Sequence, residues 1–309
     1  MSNIKALLFG LDYQNTSHAL SGCINDVYLS EKFLTEFMGV SKNNITTMTD
    51  VTSVKPTRNN MIDAMNSAIE ELNNDPNLKT LWIHYSGHGT RTWDRNGDED
   101  KEVDDSTYGK DEALCTLDNR LILDDELNMI FSKLNADKNL VCVFDCCHSG
   151  TLLDLPYRYC YNKNKNISDN KNCQIKCKAV LLSGAKDTQY GSDAYGLSEN
   201  YNCTGAFTTS FLKKCKLSDA LTIDSIMEDC NEYLKENGYS QIPQVSSNFK
   251  LDPSSVFLKS EKYIQNVKRL SKYRRYVKIL DHLYKKRKNI VYKIYRDIFQ
   301  KRIDKMLRV

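Results

Sequence analysis

Apolar and polar positions alternate along this chain in blocks that read as strand, helix, strand, helix. Ile4 to Leu11 is an apolar run of strand length. From Cys23 to Phe37, Val27, Leu29, Phe33, Leu34 and Phe37 supply the apolar face of a helix. A short strand around Ile45 to Met48 follows. Pro56-Thr57-Arg58-Asn59 then opens a second helix, with Met61, Ile62, Met65, Ile69 and Leu72 at helical spacing. Leu78 to Tyr85, Leu140 to Phe144 and Lys178 to Ala185 are further buried strands. Asp124 to Leu134 reads as a helix that starts on carboxylates, which suit a helix N-terminus. Ala206 to Lys214 and Ile223 to Lys235 are helical, and Ser254 to Leu258 reads as a final strand. This βαβα order predicts a mainly parallel α/β sheet with helices on its faces.

Three segments depart from that rhythm. Thr92 to Glu112 is polar and acid-rich, and it leads into a hairpin of Ala113 to Leu117 and Leu121 to Leu123 around Asp118-Asn119-Arg120. Tyr157 to Lys176 is an Asn/Lys-rich loop, long for a compact domain. Ile264 to Leu307 contains no Pro or Gly and repeats apolar residues at near-helical spacing, which predicts one long or two shorter amphipathic helices.

Composition adds the setting. A chain of 309 residues with 40% hydrophobic content can bury a sizeable core without staples. Eleven irregularly spaced cysteines and a first segment without signal-peptide character predict free thiols in a reducing, cytoplasmic compartment. No apolar run approaches the roughly 20 residues of a membrane span. The net charge of +3 hides an asymmetry: residues 260–309 hold 17 Lys/Arg against 4 Asp/Glu, a net of +13, and residues 1–259 hold 26 against 36, a net of −10. An acidic body carries a basic tail. The tail has three readings: an apolar stripe packed on the body or on a second copy, a clamp folded across the acidic face near a cleft, or a surface for RNA, DNA or an anionic membrane.

Two strands end in reactive groups. One runs into Tyr85-Ser86-Gly87-His88-Gly89 and the other into Asp145-Cys146-Cys147-His148-Ser149-Gly150, with His88 and Cys147 separated by 59 positions. In open α/β sheets, ligand sites lie beyond the carboxyl ends of the strands. A thiol becomes a good nucleophile when a neighbouring imidazole draws off its proton, so one Cys and one His on adjacent strand ends suffice for acyl transfer. His88 would act as base toward the thiol and acid toward the leaving amine. Strand alternation does not choose between Cys146 and Cys147, because the strand has already ended.

These paired boxes resemble those of metacaspases, in the caspase-like clan of cysteine peptidases. Supporting matches are Gly22-Cys23-Ile24-Asn25-Asp26, Gly109-Lys110-Asp111-Glu112, Leu123-Asp124-Asp125-Glu126, Leu153-Asp154-Leu155-Pro156-Tyr157, Ser183-Gly184-Ala185-Lys186-Asp187 and Pro243-Gln244, so the likeness spans about residues 4 to 258. The resemblance implies a caspase-like sandwich, a mainly parallel six-stranded sheet flanked by helices. It also implies a catalytic domain over 1–259, with the polar loop 157–177 between its halves, and a basic helical extension over 260–309. The family pattern Asp-x-Cys-His-Ser-Gly puts the nucleophile at Cys147. It assigns the oxyanion donors to the amides of Gly89 and Cys147. It forms the substrate pocket from Asp26, Ser86 and Asp145, with Cys23 beside them.

Carboxylates in a cleft select a cationic side chain, so the expected substrates are proteins or peptides with Arg or Lys before the scissile bond. On that specificity, Arg158, Lys163, Lys165, Lys171, Lys176 and Lys178 are candidate self-cleavage points. The resemblance further implies calcium, held by Asp111, Asp124, Asp125 and Asp154, an oxygen-only set suited to a hard cation. Asp94 to Glu99 imitates the opening of an EF-hand loop, but Glu99 stands where that loop needs Gly, and the segment reads as an acidic surface insertion. The expected protein is a monomer. A rival reading, a catalytically silent scaffold of the same fold acting through its tail, is disfavoured because every dyad, pocket and calcium position is present.

Overall fold

The structure is a computed structural model that describes residues 3–93, 110–147, 149–160, 165–168, 173–184, 193–195, 201–217, 222–252 and 261–307. The strands are β1 (Ile4–Gly10), β2 (Ile45–Thr49), β3 (Thr80–Ser86), β4 (Gly89–Trp93), β5 (Lys110–Cys115), β6 (Leu121–Leu123), β7 (Asn139–Asp145), β8 (Tyr157–Cys160), β9 (Lys165–Ser168), β10 (Lys178–Ser183), β11 (Asp193–Tyr195), β12 (Cys203–Gly205) and β13 (Gln244–Ser247). The helices are α1 (Cys23–Lys32), α2 (Arg58–Asn74), α3 (Asp124–Phe131), α4 (Ala206–Leu217), α5 (Ile223–Glu236), α6 (Glu261–Arg287) and α7 (Ile290–Leu307). A π-helical turn, Phe33–Met38, continues α1 and stops at Gly39, whose φ of 80° closes the helix in the left-handed conformation.

The main sheet runs β2-β1-β3-β7-β10-β13-β8-β9. The pairs from β2 to β10 are parallel, and those from β10 to β9 are antiparallel. The central strands are largely apolar on both sides because both faces are covered, with Lys5 and His84 as buried polar exceptions. Ala6, Leu8, Trp82, Val141, Val143 and Leu182 face α1, α4 and α5. Leu7, Phe9, Ile83, Tyr85, Cys142, Phe144 and Leu181 face α2 and α3.

The sheet has eight strands where six were expected. The additional pair is β8 and β9, a hairpin inside the segment that reads from sequence as a long polar loop. β9, Lys-Asn-Ile-Ser, is a polar edge strand, and β8 beside it is only four residues long, so their pattern matches a loop. Tyr159 is the exception: it is buried, and its hydroxyl donates to Asp224 of α5 at 3.0 Å. Of the candidate self-cleavage points, Arg158, Lys165 and Lys178 lie in paired strands, Lys176 is exposed beside β10, and Lys163 and Lys171 lie outside the described residues. The expected strand at Ser254 to Leu258 and the Asp94 to Glu99 segment also fall outside them. The antiparallel strand beside β10 is β13, whose single apolar residue, Val245, gives almost no periodic signal.

The tail is two antiparallel helices. Lys288, at φ 51°, makes the turn between α6 and α7, and its amide bonds Tyr284 O at 2.7 Å. The half of this hairpin nearest the body is docked. Leu270, Tyr273 and Ile303 are buried in the core with Phe33, Phe37 and Leu212, and Asn266 Nδ2 donates to Phe37 O at 3.0 Å. Phe37 lies at the end of α1 remote from the carboxyl ends of the strands. Among the described residues, these tail contacts lie at that end of α1.

Candidate active site

The register of β3 on β7 decides how the two reactive boxes meet. Ser86 pairs with Asp145, so His88 and Cys147 each stand two residues beyond paired neighbours. The two turns touch. Gly87 N donates to Asp145 O at 3.4 Å, and a Cβ added to Gly89 would fall 2.0 Å from Cys147 O and 3.2 Å from Cys146 Sγ. Only a residue without a side chain lets the His turn come this close to the Cys turn.

The structure separates the two thiols. Cys146 is buried, and burial, reinforced by the neighbouring Cys147, pushes its thiol well above the usual range. Cys147 is half-buried. A thiol held protonated in the core is not a nucleophile, so the accessible thiol is Cys147.

His88 is held at ring and backbone. Its Nε2 lies 2.7 Å from His18 O. A carbonyl only accepts, so Nε2 carries hydrogen and, in the neutral ring, Nδ1 keeps the lone pair. The Tyr13 ring lies against the imidazole at 4.8 Å and 31°. Tyr13 OH accepts the His88 N–H at 3.0 Å, and Tyr85 OH donates to His88 O at 2.7 Å. Sequence reasoning did not find His18, which acts through its backbone, or Tyr13, which comes from the loop after β1. Tyr85 was visible only as part of the His box.

The pocket residues gather on the α1–α4 side of the same strand ends. Ser86 Oγ donates to Asp26 Oδ2 at 2.6 Å, and Gly205 N donates to Asp26 Oδ1 at 2.7 Å. Thr208 N donates to Asp145 Oδ2 at 2.7 Å, at the first turn of α4. A Cβ on Gly205 would lie 2.2 Å from Asp145 Oδ2 and 2.4 Å from Asp26 Oδ2, so both buried carboxylates converge on that glycine. Cys23 opens α1 one turn before Asp26. Its amide is capped at 2.9 Å by Asp12 Oδ1, a side chain from the end of β1 that substitutes for the absent cap at Gly22. Gly205, Thr208 and Asp12 carried no sequence signal beyond a glycine before a helix.

The four aspartates expected to hold calcium lie in a different region. Asp111 is in β5, Asp124 and Asp125 open α3, and Asp154 sits in a turn after β7 at φ 48°. Asp111, Asp124 and Asp154 are buried. Burial, with the repelling charges of Asp154 and Glu112, pushes the Asp124 carboxyl up to about 9. Its oxygens accept from Glu112 N at 2.7 Å and Asp125 N at 2.9 Å. Glu112 is itself paired to Arg91 at 3.0 Å and accepts from Thr151 at 2.7 Å. Buried carboxylates that repel one another are the donor chemistry a hard divalent cation relieves. Among the described residues, however, no three His, Cys, Asp or Glu side chains share a metal-holding geometry.

Comparison with known proteins gives the family. The model of the metacaspase peptidase C14 domain matches residues 4–156. Metacaspase-1 of Saccharomyces cerevisiae is 32% identical over 306 residues, covering 82% of this chain and 68% of that protein. Metacaspase-1 of Schizosaccharomyces pombe is 34% identical over 302 residues, covering 80% and 68%. This chain belongs to the metacaspase family. It is therefore a cysteine-type peptidase that acts on proteins.

Solved structures repeat the metacaspase architecture at the level of fold. A protein from Geobacter sulfurreducens matches with a TM-score of 0.57 at 23% identity, covering 84% of this chain and 98% of its own. Caspase-1 from Spodoptera frugiperda matches with a TM-score of 0.50 at 11% identity, covering 79% and 86%. Among the described residues, no helix is long and apolar enough to cross a membrane. All eleven cysteines are free thiols.

Proposed function

We propose that this metacaspase is a calcium-stimulated cysteine endopeptidase that cleaves after Arg or Lys through Cys147 and His88. The observation that carries the specificity is the convergence of the Asp26 and Asp145 carboxylates on Gly205, beside the strand ends that bear the dyad. A guanidinium or ammonium entering there meets two fixed negative groups in a site with little water, where such contacts are strongest. An acidic side chain would be repelled.

The chemistry follows from the His88 tautomer. With Nε2–H held by His18 O, Nδ1 takes the proton from the Cys147 thiol. The thiolate attacks the scissile carbonyl, and the backbone amides of Gly89 and Cys147 stabilise the oxyanion. As the tetrahedral centre collapses, the imidazolium gives its proton to the leaving amine, and a thioester remains on Cys147. Water, deprotonated by the same Nδ1, then releases the acid and restores the thiol.

Calcium would be held by Asp111, Asp124, Asp125 and Asp154, and it would supply charge neutralisation to a region where carboxylates now repel. The turn carrying Asp154 follows Cys147 in the same loop, so drawing the aspartates together would also set the position of that loop. Eleven reduced thiols suit an intracellular, cytoplasmic setting.

The test is hydrolysis of matched fluorogenic peptides ending in Arg, Lys or Asp, with calcium and with chelator. Cys147→Ala and Cys146→Ala are run alongside. Calcium-dependent release after Arg or Lys, abolished by Cys147→Ala and retained by Cys146→Ala, is the expected result. Release after Asp would overturn the pocket assignment, and equal rates in chelator would overturn the calcium assignment.

A further inference from the structure

The half of the α6–α7 hairpin that projects from the body has a surface unlike the rest of the protein. Among the described residues ten large apolar side chains are exposed, and six of them lie here: Ile279, Ile290, Val291, Ile294, Tyr295 and Ile298. Their exposures run from 41% to 58%. Ile290, Ile294 and Ile298 recur every four residues, with Val291 and Tyr295 beside them, so they form one stripe along about 12 Å of α7. The inward side of α7 is a separate face, formed by Phe299, Ile303 and Met306 packed on the core. The exposed stripe therefore has no structural task in the fold described.

Charge surrounds this stripe. Residues 277–300 contain seven Lys and Arg and two Asp. Both Asp residues are engaged within the hairpin, Asp281 by Lys285 and Arg296, and Asp297 by Arg296. Lys286, Arg287, Lys288 and Lys293 are exposed at the tip and along the stripe.

We propose that the distal half of this hairpin docks on an anionic lipid surface, with the isoleucine stripe entering the headgroup boundary and the tip cations meeting lipid charge. Three kinds of occupant could answer the positive charge, and the apolar component decides among them. A nucleic acid offers phosphates but no surface for four isoleucines and a valine. A second copy offers an acidic body, but its other exposed large apolar residues are Tyr28 on α1, Val51 and Val54 in the connection after β2, and Met129 on α3, with no stripe comparable to that of α7. Two hairpins meeting tip to tip would bring like charges together. An anionic bilayer supplies both negative charge and an apolar layer at the depth an interfacial helix reaches. Docking there would leave the strand ends with His88 and Cys147 open, because the tail contacts the body at the opposite end of α1.

The experiment is co-sedimentation of the full chain, in chelator, with phosphatidylcholine vesicles that do or do not contain about one-third phosphatidylserine. Two variants separate the components. Ile294→Ser with Ile298→Ser keeps the charge, and Lys286→Gln with Arg287→Gln and Lys288→Gln keeps the stripe. All these positions are exposed, and circular dichroism and peptide hydrolysis check that both variants remain folded. The expected result is a preference of about tenfold for anionic vesicles, lowered about fivefold or more by either variant. Absence of vesicle binding, or equal binding to neutral vesicles, overturns the proposal. Binding that depends on the cations and is indifferent to the isoleucines, with equal capture of duplex DNA or RNA, reassigns the surface to nucleic acid. Concentration-dependent dimers abolished by the isoleucine variant, without vesicle binding, reassign it to a second copy.

Discussion

The hydroxyls of Tyr13 and Tyr85 lie 3.1 Å apart, and between them they hold the peptide of His88 at both ends. Tyr13 OH accepts from His88 N and donates to Cys115 O at 2.8 Å. Tyr85 OH donates to His88 O, which also receives the Cys115 amide at 3.0 Å. Burial raises both phenol pKa values, so both protons stay in place. The His88 imidazole, proposed above as the acid–base group, thus projects from a backbone fixed by two side chains, one of which, Tyr13, also packs its ring against the imidazole. Tyr85→Phe and Tyr13→Phe are expected to lower kcat by roughly tenfold to a hundredfold with KM little changed, as for a small misplacement of a catalytic group. Tyr13→Phe should cost about 1–3 kcal/mol of stability by removing the acceptor of the His88 amide, and Tyr85→Phe less, because His88 O keeps the Cys115 amide. A KM increase with kcat intact would show that the pair shapes substrate binding instead.

Iodoacetamide labelling with peptide mass spectrometry reads the difference between the adjacent thiols directly. Cys147 should be alkylated in the native protein at neutral pH, and Cys146 only after unfolding. Cys146→Ala should retain activity within a few-fold, with a stability loss of about 1 kcal/mol from the small cavity it leaves.

Gly205→Ala tests the convergence of the pocket. The added methyl group would fall on both Asp26 and Asp145, so one carboxylate must move. A fall on the order of a hundredfold in kcat/KM for basic peptides is expected. A neutral peptide turned over by the same variant at the wild-type rate would place the damage in recognition and leave the dyad intact.

Stability should fall at both ends of the pH range. Burial pushes the His84 imidazole down to about 3, against a smaller opposing pull from the Val143 backbone. A depressed pKa gives stability that is present above the unfolded value of 6.5 and is lost as pH falls toward 3. This loss is on the order of 5 kcal/mol, and His84→Phe should flatten that limb of the denaturation profile. At the alkaline end, burial raises Cys115 to about 11 and Cys177 and Cys230 to about 12. These thiols stabilise fully below pH 9, and their contribution is lost as pH rises toward 12. Urea denaturation across pH 3 to 11 is the measurement, and a flat profile would count against both assignments.

Leu270→Ala tests the docking of the tail on the body. Leu270 is fully buried among residues of the α1 and α4 layer. The truncation should cost about 2–5 kcal/mol. Peptide hydrolysis below the melting transition should be unchanged, because the contact lies at the far end of α1 from His88 and Cys147.

The sequence by itself determined the parts that depend on local pattern. Apolar runs flanked by amphipathic helices sufficed for the parallel strands from β1 to β10, because strands buried on both faces are mostly apolar. The paired His and Cys boxes, each at the end of such a run, identified the family. Where pattern was weak, the reading failed for a physical reason. β8 and β9 are four-residue strands, β9 a polar one at the sheet edge, and β13 owes its place to pairing with β10 while offering one apolar residue.

Tertiary structure alone decided what depends on contact between distant segments. Strand alternation does not distinguish Cys146 from Cys147, and only the fold shows that one is buried and the other half-buried. His18 fixes the imidazole through a backbone carbonyl, which any residue type could supply. Tyr13 and Gly205 reach the site from segments 75 positions before His88 and 60 after Asp145, and nothing local distinguishes them from other residues of their kind. A residue's chemistry is written in the chain, but the neighbours that charge, orient or bury it are chosen by strand register and helix packing.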